Sequence, residues 1–299
     1  MADLLPERTV QTGTQAIRLR ALTTIGEMDE VVDLEEQIWG YGAPGSDSPY
    51  PARALFAVAE SGGLVAGAFA GGDLVGFALS WLGSENGTRV PYLHSQLMGV
   101  LPAYRSHGIG YQLKLFQRDY ALDSGLELIK WTFDPLIAAN AHLNLKKLGS
   151  VIRSYVPNYY GNLQSRFTRG IASDRVWVSW FVKSQRVRGR VDRSSSSTSR
   201  VAGLPRATRV KPDPISGLVR LCGFRLDLDS KRLLVEVPGA FGTLRRTEPK
   251  LAREWQRKIR EIFVHYLKRG YCASDFFFMD GRSAYLLDRS PLSRILNSE

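Results

Sequence analysis

The chain contains few cysteines and no long uninterrupted apolar run, and each shortage excludes a class of protein. Among its 299 residues are two cysteines, Cys222 and Cys272, which are far apart and form no CxxC spacing. The sequence therefore has neither a disulfide framework nor a zinc cluster. This cysteine usage is typical of the reducing cytosol, so we expect a cytoplasmic protein without a bound metal. The N-terminal twenty residues also lack the apolar core of an export signal.

The most apolar segment, residues 62–82, is about as long as a membrane-spanning helix of ~20 residues. It is interrupted by Gly71, Gly72 and Asp73. Glycines destabilise a buried helix and favour a turn, so the segment predicts two core strands joined as a hairpin. We therefore expect neither a membrane-spanning segment nor a membrane partner.

Positive charge is unevenly distributed along the chain. The net charge is +11, and residues 186–211, with eight basic side chains and one acid, supply +7 of it. This serine-rich segment has few apolar residues to offset the entropy of ordering it. Two interpretations stay open, a solvated linker or a phosphate-binding arm. A solvated linker explains the positive charge without a nucleic-acid partner. We therefore do not expect the protein to bind nucleic acid. The linker interpretation predicts a first domain at 1–187, a basic linker at 188–212 and a C-terminal unit at 213–299.

The periodicity of apolar residues predicts an α/β protein. Up to residue 185 the order is a strand, two helices, an antiparallel meander and then β-α-β-α-β-β, which is typical of a mixed sheet with helices on both faces. After the basic segment, a strand, a long amphipathic helix and a hairpin predict a smaller β-α-β-β unit. Because this unit has fewer than ninety residues, we expect it to pack on the first domain.

The motif with the clearest chemical meaning lies at residues 100–110, where a strand gives way to a loop and a helix. Gly108 and Gly110 open the start of that helix, and its unpaired N–H groups and positive dipole end make a cradle for an anion such as a pyrophosphate. Arg105 and His107 add side-chain donors. Neither the GxGxxG nor the GxxxxGK[ST] phosphate loop fits these residues.

This window resembles the V-x-P-x-x-R-x-x-G-x-G hallmark of the GNAT superfamily of acyl-CoA-dependent N-acyltransferases. The matching residues are Val100, Pro102, Arg105, Gly108 and Gly110. The resemblance covers residues 15–185 and includes a little-characterised bacterial subfamily with a C-terminal extension. It implies direct transfer of an acetyl or succinyl group from acyl-CoA to a primary amine of a small molecule, for which an amino acid is a candidate.

The resemblance also implies which residues bind CoA. The pantetheine arm would pair with the backbone of Met98, Gly99 and Val100, and Asn140 resembles an asparagine that holds this arm in many relatives. The pyrophosphate would be bound by Arg105, Ser106, His107, Gly108, Ile109 and Gly110. The tyrosine that commonly protonates the departing sulfur falls at Leu145. Either another group serves, or the thiolate leaves unassisted, because a thiol pKa of about 8.5 makes it a fair leaving group.

Four polar residues are candidates for the reaction itself. His94, in the strand before Val100, is a candidate base or substrate contact, or a histidine hydrogen-bonded within the sheet. Asp134 is a candidate base acting through water, or a cap of the following helix. Tyr159 and Tyr160 are candidates for reaching the sulfur, and aromatic packing is the alternative for both.

Arg153 and Arg166 are candidates for holding a substrate carboxylate through bidentate contacts, or are solvated surface charges. The sequence is compatible with a homodimer but does not require one. Two other functions stay open. A CoA-binding module without catalysis is favoured by Leu145, and an acyltransferase with an RNA- or ribosome-associated substrate would use the basic segment.

Overall fold

The computed structural model describes residues 7–13, 15–40, 49–85, 90–161, 171–192, 201–212, 218–279 and 282–297. By their contacts, the described residues up to Trp131 form a first unit and those from Thr132 onward form a second. This division differs from the predicted domain boundaries at residues 187 and 212, which stay a prediction about domain organisation.

The first unit is built on a mixed sheet whose strands follow each other in chain order. The strands are β1 (Arg8–Thr12), β2 (Gln15–Ala21), β3 (Leu64–Ala70), β4 (Asp73–Ser84), β5 (Pro91–Val100) and β6 (Leu128–Phe133), whose last two residues belong to the second unit. Neighbouring strands are antiparallel from β1 to β5, and β5 and β6 are parallel. The predicted meander and mixed sheet are thereby confirmed.

Helices cover both faces of this sheet. They are α1 (Ile25–Trp39), α2 (Ala52–Glu60) and α3 (Ile109–Asp123). Because side chains alternate along a strand, Ala66 and Ala68 of β3 pack in the core under α3, whereas Val65 and Phe69 pack in the core under α1 and α2. Both faces of the sheet are therefore buried, which explains why the segment 62–82 is almost entirely apolar.

Helix α1 has a well-formed N-terminus. The Thr24 hydroxyl accepts from the Glu27 N–H, and the Glu27 carboxylate accepts from the Thr24 N–H at 2.9 Å, which is a capping box. Burial would raise the pKa of Glu27, but hydrogen bonds from Thr23, Arg20 and Thr24 lower it to about 2. The helix is thus fixed at the end from which its buried face begins.

The second unit contains a sheet in the order β8-β7-β12-β13-β11 and a separate pair β9–β10. Its strands are β7 (Val151–Val156), β8 (Arg175–Phe181), β9 (Thr208–Pro212), β10 (Val219–Phe224), β11 (Arg232–Val237), β12 (Cys272–Met279) and β13 (Arg282–Asp288). Its helices are α4 (Ala138–Ala141), which continues as a π-helix over His142–Lys147, α5 (Gln185–Val191), α6 (Phe241–Thr247), α7 (Pro249–Lys268) and α8 (Leu292–Leu296). The predicted strand, long helix and hairpin correspond to β11, α7, β12 and β13, whereas the sequence reading missed β9, β10, α5, α6 and α8.

The predicted basic linker contains ordered elements at both of its described ends, so its interpretation as a solvated chain is wrong there. Arg186 of α5 is buried and donates from Nε to the Gly149 carbonyl at 2.9 Å. Arg190, also buried, donates to the Lys146 carbonyl at 2.6 Å and to Asp275 at 3.0 Å. Composition counted these guanidinium groups as solvated charge, but they satisfy carbonyl and carboxylate oxygens inside the unit. Residues 193–200 lie outside the described residues.

Two further observations bear on the sequence predictions. Within the described ranges, no helix combines the length and the apolar character needed to cross a membrane. Cys222 is exposed, Cys272 is buried, and both are free thiols.

Candidate acyl-CoA site

The glycine-opened corner between β5 and α3 is accessible. Leu101, just past the end of β5, donates its N–H to the Val75 carbonyl at 2.9 Å, after which the chain turns away. Gly108 is the N-cap of α3 with φ of 84°, in the left-handed region that glycine tolerates. A Cβ built on Gly108 would meet nothing within 4 Å, so the space beside Gly108 is open, whereas at Gly110 the nearest side-chain atom is Met98 Cε at 3.5 Å.

The start of α3 offers hydrogen-bond donors at this corner. The first bond at the helix start runs from the Gln112 N–H to the Gly108 carbonyl at 3.1 Å. In the described part of the chain, no backbone carbonyl accepts from the N–H groups of Ser106, His107, Gly108, Ile109 or Gly110. Arg105 donates from Nε to the Val100 carbonyl at 3.0 Å, which holds its exposed guanidinium beside the end of β5. Unpaired N–H groups at a helix start favour an anion.

β5 has a partner along one edge only. It pairs with β4 from Pro91 to Val100, but with β6 only at Leu93↔Ile129 and His94↔Lys130. Within the described residues, the edge from Ser95 to Val100 therefore has no strand partner on the β6 side. The register with β4 shifts between Leu97 and Ser95, which makes Gln96 a β-bulge. The result is a fork between β5 and β6, with open backbone groups that an extended ligand can pair with.

On the sheet face that α1 and α2 cover, polar side chains form a chain of hydrogen bonds. His94 Nε2 and Gln96 Oε1 lie 2.9 Å apart, and Gln96 donates to the Tyr50 hydroxyl at 2.9 Å. The Tyr50 N–H donates to a Glu35 carboxylate oxygen at 3.3 Å. The Trp81 ring lies 5.4 Å from the His94 ring, between centroids. We call these four hydrogen-bonded residues, Glu35, Tyr50, His94 and Gln96, the α1-face cluster.

Two members of the α1-face cluster have shifted pKa values. Burial lowers the pKa of His94, and the charges of Lys114 and Lys130 lower it further, so its imidazole is neutral at pH 7. Burial raises the pKa of Glu35 to about 7 against the hydrogen bond from Tyr50. Glu35 lies on the buried face of α1 beside Leu34 and Ile38, and a carboxylate on such an apolar face is a signal in the sequence that the predicted site residues did not include.

On the opposite face, α3 contributes a second polar group, the α3-face cluster, consisting of Ser80, Ser95, Lys114 and Gln117. The Lys114 ammonium donates to Ser95 Oγ at 2.7 Å and lies 3.9 Å from the centroid of the Trp131 ring. Gln117 donates to Ser80 Oγ at 2.6 Å and to Ser95 Oγ at 2.9 Å. All four residues are buried.

Lys114 is the most perturbed member of the α3-face cluster. It is 3% exposed, and no carboxylate among the described residues forms an ion pair with it. Burial lowers its pKa to about 7. Sequence reasoning missed Lys114, and the signal available was two polar residues, Lys114 and Gln117, each following an apolar residue of the buried α3 stripe.

The second unit contains the remaining candidates. Asp134, after β6, accepts from the Leu136 N–H at 2.9 Å, and burial raises its pKa against the charges of Arg175 and Arg245. It closes a turn; the N-cap of α4 is Ile137, so the alternative of a helix cap is wrong. Asn140 is exposed on α4.

Tyr159 and Tyr160 lie in a turn after β7. The Tyr159 N–H donates to the Ser173 carbonyl at 3.0 Å, and the Tyr160 N–H donates to Ser173 Oγ at 2.9 Å. Their rings pack edge to face with centroids 4.7 Å apart, and the Arg175 guanidinium lies 5.2 Å from the centre of the Tyr160 ring. Both tyrosines thus have packing partners, and the role of either as an acid stays a prediction.

The two predicted carboxylate-binding arginines differ in what the structure describes. Arg153 is exposed at a β-bulge of β7, where the register with β8 shifts between Ile152 and Ser154. Arg166 lies outside the described residues. Leu145 is fully buried, and its hydrocarbon side chain has no proton to donate. Across the described ranges, no three His, Cys, Asp or Glu side chains are grouped so that they could hold a metal ion.

Three comparisons with known proteins were made. A search of curated protein sequences returns no match. Among solved structures, the ribosomal-protein-S18-alanine N-acetyltransferase of Escherichia coli matches with TM-score 0.44 and 15% identity, over 56% of this chain and 94% of that one. A GNAT-family acetyltransferase of Streptococcus pneumoniae matches with TM-score 0.44 and 18% identity, over 55% and 98%.

The model of the acetyltransferase (GNAT) family matches residues 28–149, which include the whole of β5, the glycine-opened corner and α3. The segment 28–149 of this chain therefore belongs to the GNAT family of acetyltransferases.

Proposed function

We propose that the protein is an acyl-CoA-dependent N-acyltransferase that moves an acetyl or succinyl group to a primary amine of a small molecule, with an amino acid as the candidate. The observation that carries the proposal is the corner at residues 100–110. There, unpaired N–H groups at the start of α3 meet the open edge of β5. A pyrophosphate needs the first feature and a pantetheine amide chain needs the second.

The proposed binding mode follows from these two features. The pyrophosphate lies against the backbone of residues 106–110, with Arg105 beside it. The pantetheine arm then runs along the β5 edge from Val100 toward Gln96, pairing its amides with the backbone at Met98 and Val100. The thioester reaches the bulge at Gln96, where a strand N–H is free to stabilise the oxyanion.

The amine approaches from the face of the α1-face cluster. In the reaction, a C–N bond forms, the C–S bond breaks, the amine nitrogen loses a proton and CoA leaves as the thiol. His94, neutral at pH 7, is the proposed proton acceptor, and the chain of hydrogen bonds through Gln96 and Tyr50 holds its ring in place. An α-amine with a pKa near 8 needs little help to deprotonate, which suits a weak base.

Two observations support a small-molecule substrate in the cytoplasm. Arg186 and Arg190 are buried and hydrogen-bonded inside the second unit. The basic segment therefore has fewer charges available to bind RNA than its composition indicates. Both cysteines are free, as expected in a reducing compartment.

Ligand-dependent stability and turnover test this proposal. Acetyl-CoA at one hundred times its Kd should stabilise the folded protein by ~2.7 kcal/mol, which raises Tm by a few degrees, whereas ATP should not. Thiol release with a panel of amino acids and small amines then measures transfer, and His94→Gln should lower kcat with an unchanged acetyl-CoA Kd. Binding without turnover of any amine would favour a CoA-binding module, and no binding of any acyl-CoA would refute the proposal.

A further inference from the structure

We propose that Lys114 donates the proton that the departing CoA sulfur receives. This inference rests on the proposed function and goes beyond it, because it assigns the general acid that the resemblance leaves unassigned at Leu145. Lys114 would touch the reacting sulfur and is therefore proposed as a catalytic residue.

Lys114 lies at the point where β5 and β6 stop pairing. The last paired positions of the two strands are His94 and Lys130, so Ser95 on β5 and Trp131 on β6 are the first residues beyond the fork. Lys114 contacts both of them, through a 2.7 Å hydrogen bond to Ser95 Oγ and through the face of the Trp131 ring. Its ammonium therefore lies at the closed end of the open edge.

The length of the open β5 edge determines where the distal end of a bound ligand arm would lie. From Val100 to Gln96 the strand advances four residues, or ~13 Å at about 3.3 Å per residue. A ligand arm that starts at the pyrophosphate corner and follows this edge has its distal end at the bulge, next to Ser95. In CoA, the distal end of that arm is the sulfur.

The chemistry of the Lys114 side chain suits a proton donor. Lys114 is buried without a carboxylate partner among the described residues, and its pKa of about 7 lets it hold a proton and release it near neutrality. The Ser95 hydroxyl and Gln117 fix the position of the amine. A buried ammonium also stabilises an adjacent thiolate more strongly than an exposed one does.

The proposed step is balanced in protons. As the C–S bond breaks, the sulfur takes a proton from Lys114 Nζ, which leaves a neutral amine. The nucleophile gives up one proton as its C–N bond forms, and Lys114 regains one from water. One amine proton is thus transferred overall to the thiol, and no other reactant is consumed.

The experiment compares CoA with desulfo-CoA at pH 7.5 by calorimetry, because the two ligands differ only at the sulfur. Wild-type protein should bind CoA about tenfold more tightly than desulfo-CoA, since a Lys114–thiolate pair forms. In Lys114→Met and Lys114→Gln the preference should fall to about one. Lys250→Met, at an exposed position on α7, is the matched control and should keep the wild-type preference.

Turnover with the best amine completes the test. Lys114→Met and Lys114→Gln should both lower kcat by about a hundredfold, with acetyl-CoA Kd changed less than threefold. Glutamine can still donate a hydrogen bond to Ser95 but has no ionisable proton to transfer. Recovery of kcat in Lys114→Gln would therefore show a positioning role and overturn the proposal. A wild-type CoA preference or kcat in Lys114→Met would overturn it too, while leaving the acyltransferase intact. If wild-type protein binds no acyl-CoA, both proposals fail together.

Discussion

The two faces of β5 contain polar side chains in different surroundings. In the α1-face cluster, His94 and Gln96 are half-buried and linked to Tyr50, and the buried carboxyl of Glu35 is at its end. In the α3-face cluster, four buried groups bond to one another and a lysine takes the place of a core residue. His94 and Gln96 keep part of their surface exposed, whereas Lys114 is almost completely removed from solvent and its charge loses hydration. Burial, rather than the number of polar residues, therefore determines which pKa values shift.

The largest expected effect comes from removing the charge of the α3-face cluster. Folding lowers the pKa of Lys114 from 10.5 to about 7, so the unfolded chain binds more protons between these pH values and wild-type stability should rise with pH there. Lys114→Met should therefore stabilise the protein by on the order of 4 kcal/mol at pH 7, with a gain that declines toward pH 10. Urea unfolding between pH 7 and pH 10 measures this gain in the free energy of unfolding, with Lys250→Met as the control. Equal stability of wild type and Lys114→Met at pH 7 would contradict the difference between the two faces.

The α1-face cluster should show the opposite pH dependence. Folding raises the pKa of Glu35 from 4.5 to about 7, so the folded chain binds more protons in this window and stability should fall as pH rises through it. Glu35→Gln should remove ~2 kcal/mol of that fall, measured by urea unfolding at pH 5 and pH 7.5. Glu36→Gln, at the exposed neighbouring position, should leave the fall unchanged. A wild-type slope in Glu35→Gln would show that Glu35 ionises normally.

A third variant separates cofactor binding from both clusters. At Gly108, with φ of 84°, alanine adds a methyl group at the corner and strains the backbone. Gly108→Ala should weaken acetyl-CoA binding about tenfold, or ~1.4 kcal/mol, without changing the KM of the amine. Gly242→Ala, where an added Cβ also meets nothing within 4 Å, is the matched control. Calorimetry measures the affinity, and an unchanged Kd in Gly108→Ala would place the pyrophosphate elsewhere.

The smallest expected effect concerns the helix that positions Glu35. Thr24→Ala removes the hydroxyl half of the capping box and should cost ~1 kcal/mol of stability. Thr23→Ala, which leaves the cap hydroxyl in place, should cost little. Urea unfolding compares the two variants. Equal losses would mean that the start of α1 depends on packing instead of on the cap.

Much of the fold could be predicted from the sequence because the signals were local. The apolar run at residues 62–82, the glycines that interrupt it and the β5–α3 motif are all signals carried by neighbours in the chain. The errors have a tertiary cause. α5 was read as part of a linker because its arginines look solvated in sequence, yet Arg186 and Arg190 find carbonyl partners more than thirty residues away.

The residues of the candidate site also fall into those that the sequence reveals and those that only the structure reveals. The corner at residues 100–110 and His94 could be found in the sequence, because the motif is contiguous. Lys114 and Glu35 could not be assigned, since their importance depends on desolvation by residues distant in the chain, such as Trp131 for Lys114 and Tyr50 for Glu35.

Apart from β1, which was missed, the strands and helices of the first unit could be predicted from local signals in the sequence, as could the glycines at the start of α3 and the family of the segment 28–149. Each of these depends on local periodicity, backbone freedom or a contiguous motif. Three-dimensional contacts alone showed where β5 and β6 separate, which side chains lie at that fork and which of them have shifted pKa values. Those properties arise when groups distant in the chain exclude water from one another, and the energy of a charge depends on that exclusion.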